Sequence, residues 1–185
     1  GQGVRFEENQ GPVLDEMPGI GNLDRDEELW RERLSPVYTA MTETRKQLAH
    51  DKTMIGFAGA PWTLAAYMLE GKGSPDQRKA KLAAYSRPRE FAALLDILSE
   101  IVAFHLLRQL EAGADMVQLF DSWAGVLSPE LYSEFGLKYI AQICDAIPEV
   151  PFTVFAKDAH FARKQMSALS CDTIGLDWTM DIAES

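Results

Sequence analysis

A unit that repeats from residue 53 onward constrains the fold of this chain more than any other feature. Each unit is a short apolar segment, then a polar or aromatic tip, then a stretch with helical periodicity. The apolar segments are TMIGFAG, DMVQLFDS, FTVFAKD and TIGLDWT, at residues 53–59, 115–122, 152–158 and 173–179. Segments this short and uniformly apolar are typical of parallel strands covered on both faces. The sequence therefore predicts right-handed β-α-β units.

The segments between these strands predict helices. Residues 86–114 carry apolar side chains at helical spacing, and Gly113 stands where a helix would end in a left-handed residue. After the second strand, Ser128 is placed as an N-cap and Pro129 as the first helical residue. Residues 160–169, HFARKQMSAL, predict the last full crossover helix.

Residues 1–52 precede the repeated units and predict an extended lead followed by helices. Pro36 predicts the start of a fresh helix, because proline is poorly tolerated inside one. Five residues at helical spacing predict one buried helix face. They are Leu34, Val37, Met41, Thr44 and Leu48. No linker or low-complexity stretch divides the chain, so the sequence predicts one domain, with four βα units in residues 53–185.

Two folds are built from such units, a (β/α)8 barrel and an open, doubly wound sheet. Unusual side chains follow every strand, at residues 59–62, 121–123, 157–158 and 177–178. A barrel places its active site across the carboxyl ends of its strands, whereas an open sheet concentrates the site at one switch point. No strand is followed by a glycine-rich phosphate-binding loop. The sequence therefore predicts an α/β chain forming about four central units of a (β/α)8 TIM barrel.

Composition restricts the partners. The formal net charge of -10 argues against nucleic acids and anionic membranes, which an acidic surface repels. No apolar run approaches the ~18 residues of a membrane helix. Cys144 and Cys171 have neither metal-site spacing nor a disulfide pattern, which predicts a reducing, cytoplasmic compartment.

Four blocks of sequence carry a resemblance to a known family. They are IGFAGAPWTLAAYMLEGKGS, QLFDSWAGVLSPELYSEF, VFAKDAHF and IGLDWTMDIA, which begin at residues 55, 118, 154 and 174. In order and spacing they resemble the uroporphyrinogen decarboxylases of haem biosynthesis. The resemblance implies a cofactor-independent carboxy-lyase on a (β/α)8 barrel that forms homodimers. Such an enzyme removes four acetate carboxylates from uroporphyrinogen III to give coproporphyrinogen III. The four strands here would be the third to sixth of that barrel.

The resemblance also assigns roles to residues. Tyr67 and Ser122 match substrate-binding positions of the family, and Phe57, Gly59, Phe120 and Lys157 are candidates for lining the cleft. Each has a structural alternative: core packing for the aromatic residues, a turn for Ser122, and a salt bridge to Asp158 for Lys157. His105 is expected to be a packed histidine, and Asp121 and Asp177 are expected to hold loop amides.

The family's catalytic aspartate, carboxylate-binding arginines and histidine match nothing in this chain. The resemblance therefore implies an inactive fragment of an active parent, with no catalytic residue and no metal ligand of its own. One alternative is a cobamide-dependent methyltransferase on the same barrel, which binds zinc through a His-x-Cys pair. Here that position reads Phe155-Ala156-Lys157, without a thiol. A second alternative is a non-catalytic remnant or scaffold.

Overall fold

A computed structural model describes residues 3–7, 11–15, 19, 23, 25–71, 74–147, 150–181 and 183. In chain order its elements are β1 (Val4–Glu7), β2 (Gly11–Leu14), α1 (Glu27–Gln47), β3 (Ile55–Gly59), α2 (Pro61–Glu70), α3 (Arg78–Ser86), α4 (Pro88–Glu111), β4 (Met116–Asp121), α5 (Pro129–Tyr132), α6 (Lys138–Ala146), β5 (Phe152–Ala156), α7 (Arg163–Met166) and β6 (Thr173–Gly175). No helix among these residues combines the length and apolarity that a membrane span requires.

Strands β3 to β6 form one parallel sheet, and their order in the sheet is their order in the chain. The register pairs Gly59 with Phe120 and Phe120 with Phe155, so the carboxyl ends of three strands meet at one edge. A sheet that adds each strand beside the previous one has no switch point, unlike a doubly wound sheet. This topology confirms the predicted arrangement of a partial β/α barrel.

One face of the sheet is covered by helices and the other is largely open. Val117, Leu119 and Val154 have no exposed surface and belong to the core with α2, α4 and α6. On the opposite face, Ile55 is 48% and Phe57 62% exposed. The apolar pattern predicted strands covered on both faces, and the described residues cover one of the two, which is consistent with part of a barrel. The two faces are called the helix-covered face and the open face below.

The lead differs from the expected extended segment with several helices. Strands β1 and β2 pair as an antiparallel hairpin, and α1 is the one helix described before β3. The hairpin is attached to the end of α2 through the backbone N–H of Leu14, which donates to the carbonyl of Gly71 at 2.7 Å. Gly71 ends α2 in the left-handed region, with φ of 76°, which glycine adopts without strain. Parts of the lead lie outside the described residues.

Pro36 lies inside α1, so the prediction that it starts a helix was wrong. A proline in a helix leaves the carbonyl four residues earlier without its backbone donor. That carbonyl belongs to Glu32, and the hydroxyl of Ser35 donates to it at 2.8 Å. The neighbouring serine therefore satisfies the group that the proline leaves free.

The predicted buried face of α1 is also not buried. Trp30 is the buried residue of this helix, while Val37 is 42% exposed. Val37, Met41 and Thr44 instead line an apolar groove of about 640 Å³ beside Ile55 of β3. The residues described here place no further element over that groove.

The helices after β3 and β4 follow the predicted signals closely. Gly113 has a positive φ of 108° just beyond α4, as predicted. Ser128 is the N-cap of α5, and its side chain accepts from the backbone N–H of Leu131 at 3.3 Å. A π-helical turn, Ser133–Leu137, then joins α5 to α6. The expected crossover helix at residues 160–169 is shorter: it is a 3-10 turn, His160–Ala162, followed by α7.

Candidate functional site

Tyr67 lies on α2, the helix that begins two residues after β3 ends. Its side chain is 39% exposed, and its ring packs edge-to-face on Trp123 with centroids 6.2 Å apart. Trp123 belongs to the loop after β4 and follows Ser122 in the chain. Tyr67 therefore lies against the loop that carries Ser122, and its contact there is with the residue that follows Ser122.

The side chains of Tyr67 and Ser122 both end in hydroxyl groups. Within the described part of the chain, neither hydroxyl forms a side-chain hydrogen bond. Tyr67 is not a fully buried core residue, and Ser122 does not cap the 3-10 turn Ala124–Val126 that follows it. Both side chains are hydrogen-bond donors that an anionic group could use.

Three phenylalanines form a row across the open face near the carboxyl ends of the strands. The ring centroids of Phe57 and Phe120 lie 6.0 Å apart, and those of Phe120 and Phe155 lie 5.9 Å apart, all in edge-to-face contact. Gly175 makes room for this row, since a Cβ there would lie 2.9 Å from the Phe155 ring. Phe155 was not predicted as a cleft residue, although its alternation with Val154 places it on the open face.

The other two candidates for the cleft have clear structural surroundings. A Cβ at Gly59 would lie 3.0 Å from the end of the Leu64 side chain, so the packing of α2 on the strand end favours a small residue there. Lys157 follows β5 and is about half exposed, and its Nζ is 4.0 Å from a carboxylate oxygen of Asp158. At this distance the pair is loose, and the ammonium remains accessible to an anion.

A buried hydrogen-bond network lies beneath the loop that carries Ser122. The hydroxyl of Thr63 donates to Asp121 Oδ1 at 2.6 Å, and Thr63 Oγ1 accepts from the backbone N–H of Trp123 at 3.2 Å. The indole N–H of Trp62 donates to the backbone carbonyl of Trp123 at 2.9 Å. Thr63 and Trp62 both lie in the first turn of α2. Sequence analysis missed this network, because its partners are about 60 residues apart in the chain.

Asp121 is fully buried at the end of β4 and points to the helix-covered face. Burial raises its pKa from 3.8 to about 6, and hydrogen bonds from Thr63 and the Trp123 backbone limit the rise. The hydroxyl of Tyr132 is close enough to interact with this carboxyl, but neither Asp121 Oδ2 nor that hydroxyl forms a hydrogen bond of normal geometry among the described residues. Burial and the nearby carboxylate raise the pKa of Tyr132 well above its ordinary value.

The remaining predicted polar residues have structural roles. Asp177 accepts hydrogen bonds from the backbone N–H groups of Asp158 and Thr179, which confirms that it holds loop amides. His105 is packed on α4, with Nδ1 3.0 Å from the hydroxyl of Tyr38, and burial lowers its pKa. Within the described ranges, no group of three metal-binding side chains is assembled.

Comparison with known proteins identifies the family. A model of the uroporphyrinogen decarboxylase (URO-D) family matches residues 1–185, the whole chain. The chain belongs to the uroporphyrinogen decarboxylase family. The uroporphyrinogen decarboxylase of Chelativorans sp. (strain BNC1) is 39% identical over 195 aligned residues, which cover 100% of this chain and 56% of that relative.

Two further uroporphyrinogen decarboxylases show the same pattern. The relative from Sinorhizobium fredii is 41% identical, covering 97% of this chain and 54% of its own length. The relative from Vibrio cholerae is 39% identical, covering 100% and 54%. The chain therefore spans about half the length of the curated decarboxylases that it matches.

The fold extends beyond these decarboxylases. A methyltransferase from Methanosarcina mazei superimposes with a TM-score of 0.80 over 100% of this chain and 55% of that chain. The two sequences are 16% identical, so this likeness shows a common fold alone. A shared barrel does not extend the methyltransferase's activity to a member of the decarboxylase family.

Proposed function

We propose that this chain is the middle part of an enzyme that decarboxylates the four acetate side chains of uroporphyrinogen III. The observation that carries the proposal is the packing of Tyr67 on Trp123. Through this contact, two free hydroxyls, those of Tyr67 and Ser122, share the carboxyl end of the sheet with an open row of phenylalanines. Membership of the decarboxylase family supports the choice of substrate.

The proposed substrate matches both parts of this site. A porphyrinogen has apolar pyrrole rings, which can pack on the edges and faces of Phe57, Phe120 and Phe155. Its carboxylates require donors, and the hydroxyls of Tyr67 and Ser122 can supply two hydrogen bonds to charged acceptors. The accessible ammonium of Lys157 adds positive charge at the same edge of the sheet.

The substrate itself accepts the electrons that decarboxylation releases. When the C–C bond to a carboxylate breaks, the bonding electrons move into a pyrrole that is protonated on a ring carbon. The protein has to deliver that proton and stabilise the resulting cation before CO₂ leaves. Afterwards the exocyclic carbon takes up a proton to become a methyl group, and the ring carbon gives its proton back. In this proposal, an aspartate, arginines and a histidine outside residues 1–185 deliver the proton and stabilise the cation. This part of the barrel binds and orients the acetate groups.

The proposal keeps the remaining implications of the family resemblance as predictions. They are a homodimer, a cytoplasmic location and catalysis without a cofactor. The net charge of -10 repels a substrate with eight carboxylates, so the site of the intact enzyme has to be locally positive. The arginines expected outside this chain would supply most of that charge.

The proposal is tested with Tyr67→Phe in the intact protein, expressed with the coding sequence on either side of these residues. The change removes one hydroxyl and keeps the ring on Trp123. Loss of a hydrogen bond to a charged group costs about 1.5 to 3 kcal/mol, so we expect coproporphyrinogen formation to slow by roughly 10- to 100-fold. Tyr85→Phe makes the same change on α3, where the ring is 67% exposed, and should leave the rate unaltered.

Two results would contradict the proposal at different levels. Equal turnover by Tyr67→Phe and wild type, at equal thermal stability, would make Tyr67 a packing residue only. An intact wild-type protein that converts no uroporphyrinogen would contradict the proposed reaction itself.

A further inference from the structure

We propose that Trp62 and Thr63 form a clamp that positions Ser122 and Trp123 relative to Tyr67. The inference rests on the proposed function, in which Tyr67 and Ser122 bind the same substrate. These two residues belong to different βα units, one on α2 and the other after β4. A binding site made from separate units needs a device that fixes their relative position.

The clamp holds both polar groups of one peptide segment. The backbone N–H of Trp123 donates to Thr63 Oγ1, and its backbone carbonyl accepts from the Trp62 indole. Both clamp residues are fixed in the first turn of α2, four to five residues before Tyr67 in the same helix. The position of the loop is therefore set directly by the helix that carries the other substrate-binding residue.

Asp121 orients the clamp. The Thr63 hydroxyl donates its proton to Asp121 Oδ1, which leaves the oxygen lone pairs to accept from Trp123. Asp121 is itself the last residue of β4 and precedes Ser122 in the chain. Ser122 is thus held on both sides, by a strand residue before it and by a clamped residue after it.

The π-helical turn closes the other side of the carboxyl group. Gly136 lies within this turn, and a Cβ on Gly136 would clash with the Tyr132 ring. The missing side chain lets the fully buried ring of Tyr132 lie over the helix and direct its phenol toward Asp121. Among the described residues, no cation pairs with Asp121. Its carboxyl group is fully buried, and the Thr63 hydroxyl donates to it at 2.6 Å.

The geometry assigns Thr63 a positioning role, which predicts a difference between two small substitutions. Thr63→Val keeps the shape of the side chain and removes the hydroxyl. Thr63→Ser keeps the hydroxyl and removes a methyl group. We expect amide hydrogen exchange at Trp123 in the intact protein to accelerate about tenfold in Thr63→Val, the effect of losing one hydrogen bond. Thr63→Ser should stay within about threefold of wild type.

Substrate recognition gives a second measurement, which a purely structural role would not change. Binding of uroporphyrin, the oxidised and stable form, is followed by fluorescence quenching in Thr63→Val, Ser122→Ala and the double variant. We expect each single variant to bind uroporphyrin about tenfold more weakly than wild type. The double variant should lose much less affinity than the product of the two single losses. Trp62→Phe, which loses the bond to the carbonyl but keeps an aromatic ring, provides an independent variant if Thr63→Val folds poorly.

These experiments distinguish a failure of the clamp proposal from a failure of the proposed function. Unchanged exchange at Trp123 in Thr63→Val, or fully multiplicative effects of Thr63→Val and Ser122→Ala on uroporphyrin binding, would overturn the clamp. A wild-type protein that binds uroporphyrin and shows the predicted coupling, but decarboxylates nothing, would keep the clamp and overturn the proposed function.

Discussion

Aspartates lie at both ends of the central sheet, in contrasting surroundings. At the amino ends, Asp115 precedes β4 and accepts from the backbone N–H of Met54 at 2.7 Å, and Asp172 precedes β6 and accepts from that of Phe152 at 2.9 Å. Both side chains reach solvent, and Asp115 pairs with Arg45 at 2.8 Å. At the carboxyl end, Asp121 is fully buried and its partner is a neutral hydroxyl.

The exposed aspartates at the amino end and the buried aspartate at the carboxyl end differ in what they contribute to the protein. An exposed carboxylate can accept a hydrogen bond from the backbone of a neighbouring strand segment without losing its hydration. Asp115 and Asp172 both do so at the amino end of the sheet. A buried carboxylate loses its hydration and is destabilising unless it is fully paired. Barrels place structural residues at the amino face and functional ones at the carboxyl face. Asp121 lies at the carboxyl face, beside the inferred clamp.

The largest expected effect is a pH dependence of stability that originates at Asp121. Its pKa is about 6 in the folded chain against 3.8 ordinarily, so the folded state binds the proton more tightly. Its contribution is therefore favourable below pH ~4 and is lost as the pH rises through about 6, a change of about 3 kcal/mol at ~1.4 kcal/mol per pKa unit. Asp121→Asn cannot ionise and should lack this change.

Urea unfolding of wild type and Asp121→Asn between pH 4 and 7 measures the difference. Subtracting the two curves removes the contribution of the other acids, including Asp177 and Glu130, whose pKa values are lowered. Parallel curves would mean that Asp121 is not buried as an ionisable group, and the contrast between the two ends of the sheet would disappear.

A smaller effect is expected at the amino end from Asp172→Ala. The change leaves the backbone N–H of Phe152 without its acceptor, next to a side chain that is 2% exposed. An unsatisfied donor of this kind costs about 1 to 3 kcal/mol of unfolding free energy. Asp172→Asn keeps an acceptor oxygen and should cost less. Neither variant should alter uroporphyrin binding. A loss of binding would show that the amino end of the sheet takes part in substrate recognition, which would contradict the contrast between the two ends.

The smallest effect is expected from the ion pair of Arg45 and Asp115, in which the aspartate side chain is 48% exposed. Partly exposed pairs contribute about 0 to 1 kcal/mol and are screened by salt. We expect Arg45→Met to lower the free energy of unfolding by no more than about 1 kcal/mol, and less at high salt. A loss that is larger and independent of salt would show a packing role for the Arg45 stem, which lies against Gly113.

Much of the fold could be predicted because local signals decided it. The strands are apolar runs bounded by tips, Ser128 and Pro129 begin a helix, and Gly113 adopts the positive φ expected past a helix end. The errors arose where neighbours override the local preference. Pro36 is accommodated inside α1 because the adjacent Ser35 satisfies the free carbonyl. The apolar stripe of α1 is only partly covered in the described chain, where Leu34, Met41 and Leu48 are half-buried and Val37 is 42% exposed.

The candidate site was predicted from residue types but not from its supporting contacts. The family resemblance named Tyr67 and Ser122, and the position of Phe57 and Phe120 near the ends of neighbouring strands made them candidates for the cleft. Thr63 gave no signal, since a threonine in the first turn of a helix is usually a solvent-facing or capping residue. Its partner is 58 residues away, and only the folded sheet brings the two together.

The order of the strands has a consequence for synthesis. Because β3 to β6 pair strictly in chain order, each strand finds its partner already present on the growing polypeptide. The sheet can therefore lengthen one unit at a time as the ribosome releases the chain, without waiting for a distant segment. Each added strand then leaves one new edge for the next strand to pair with, whereas the open face, where Phe57 is 62% exposed, stays uncovered while these four strands are made.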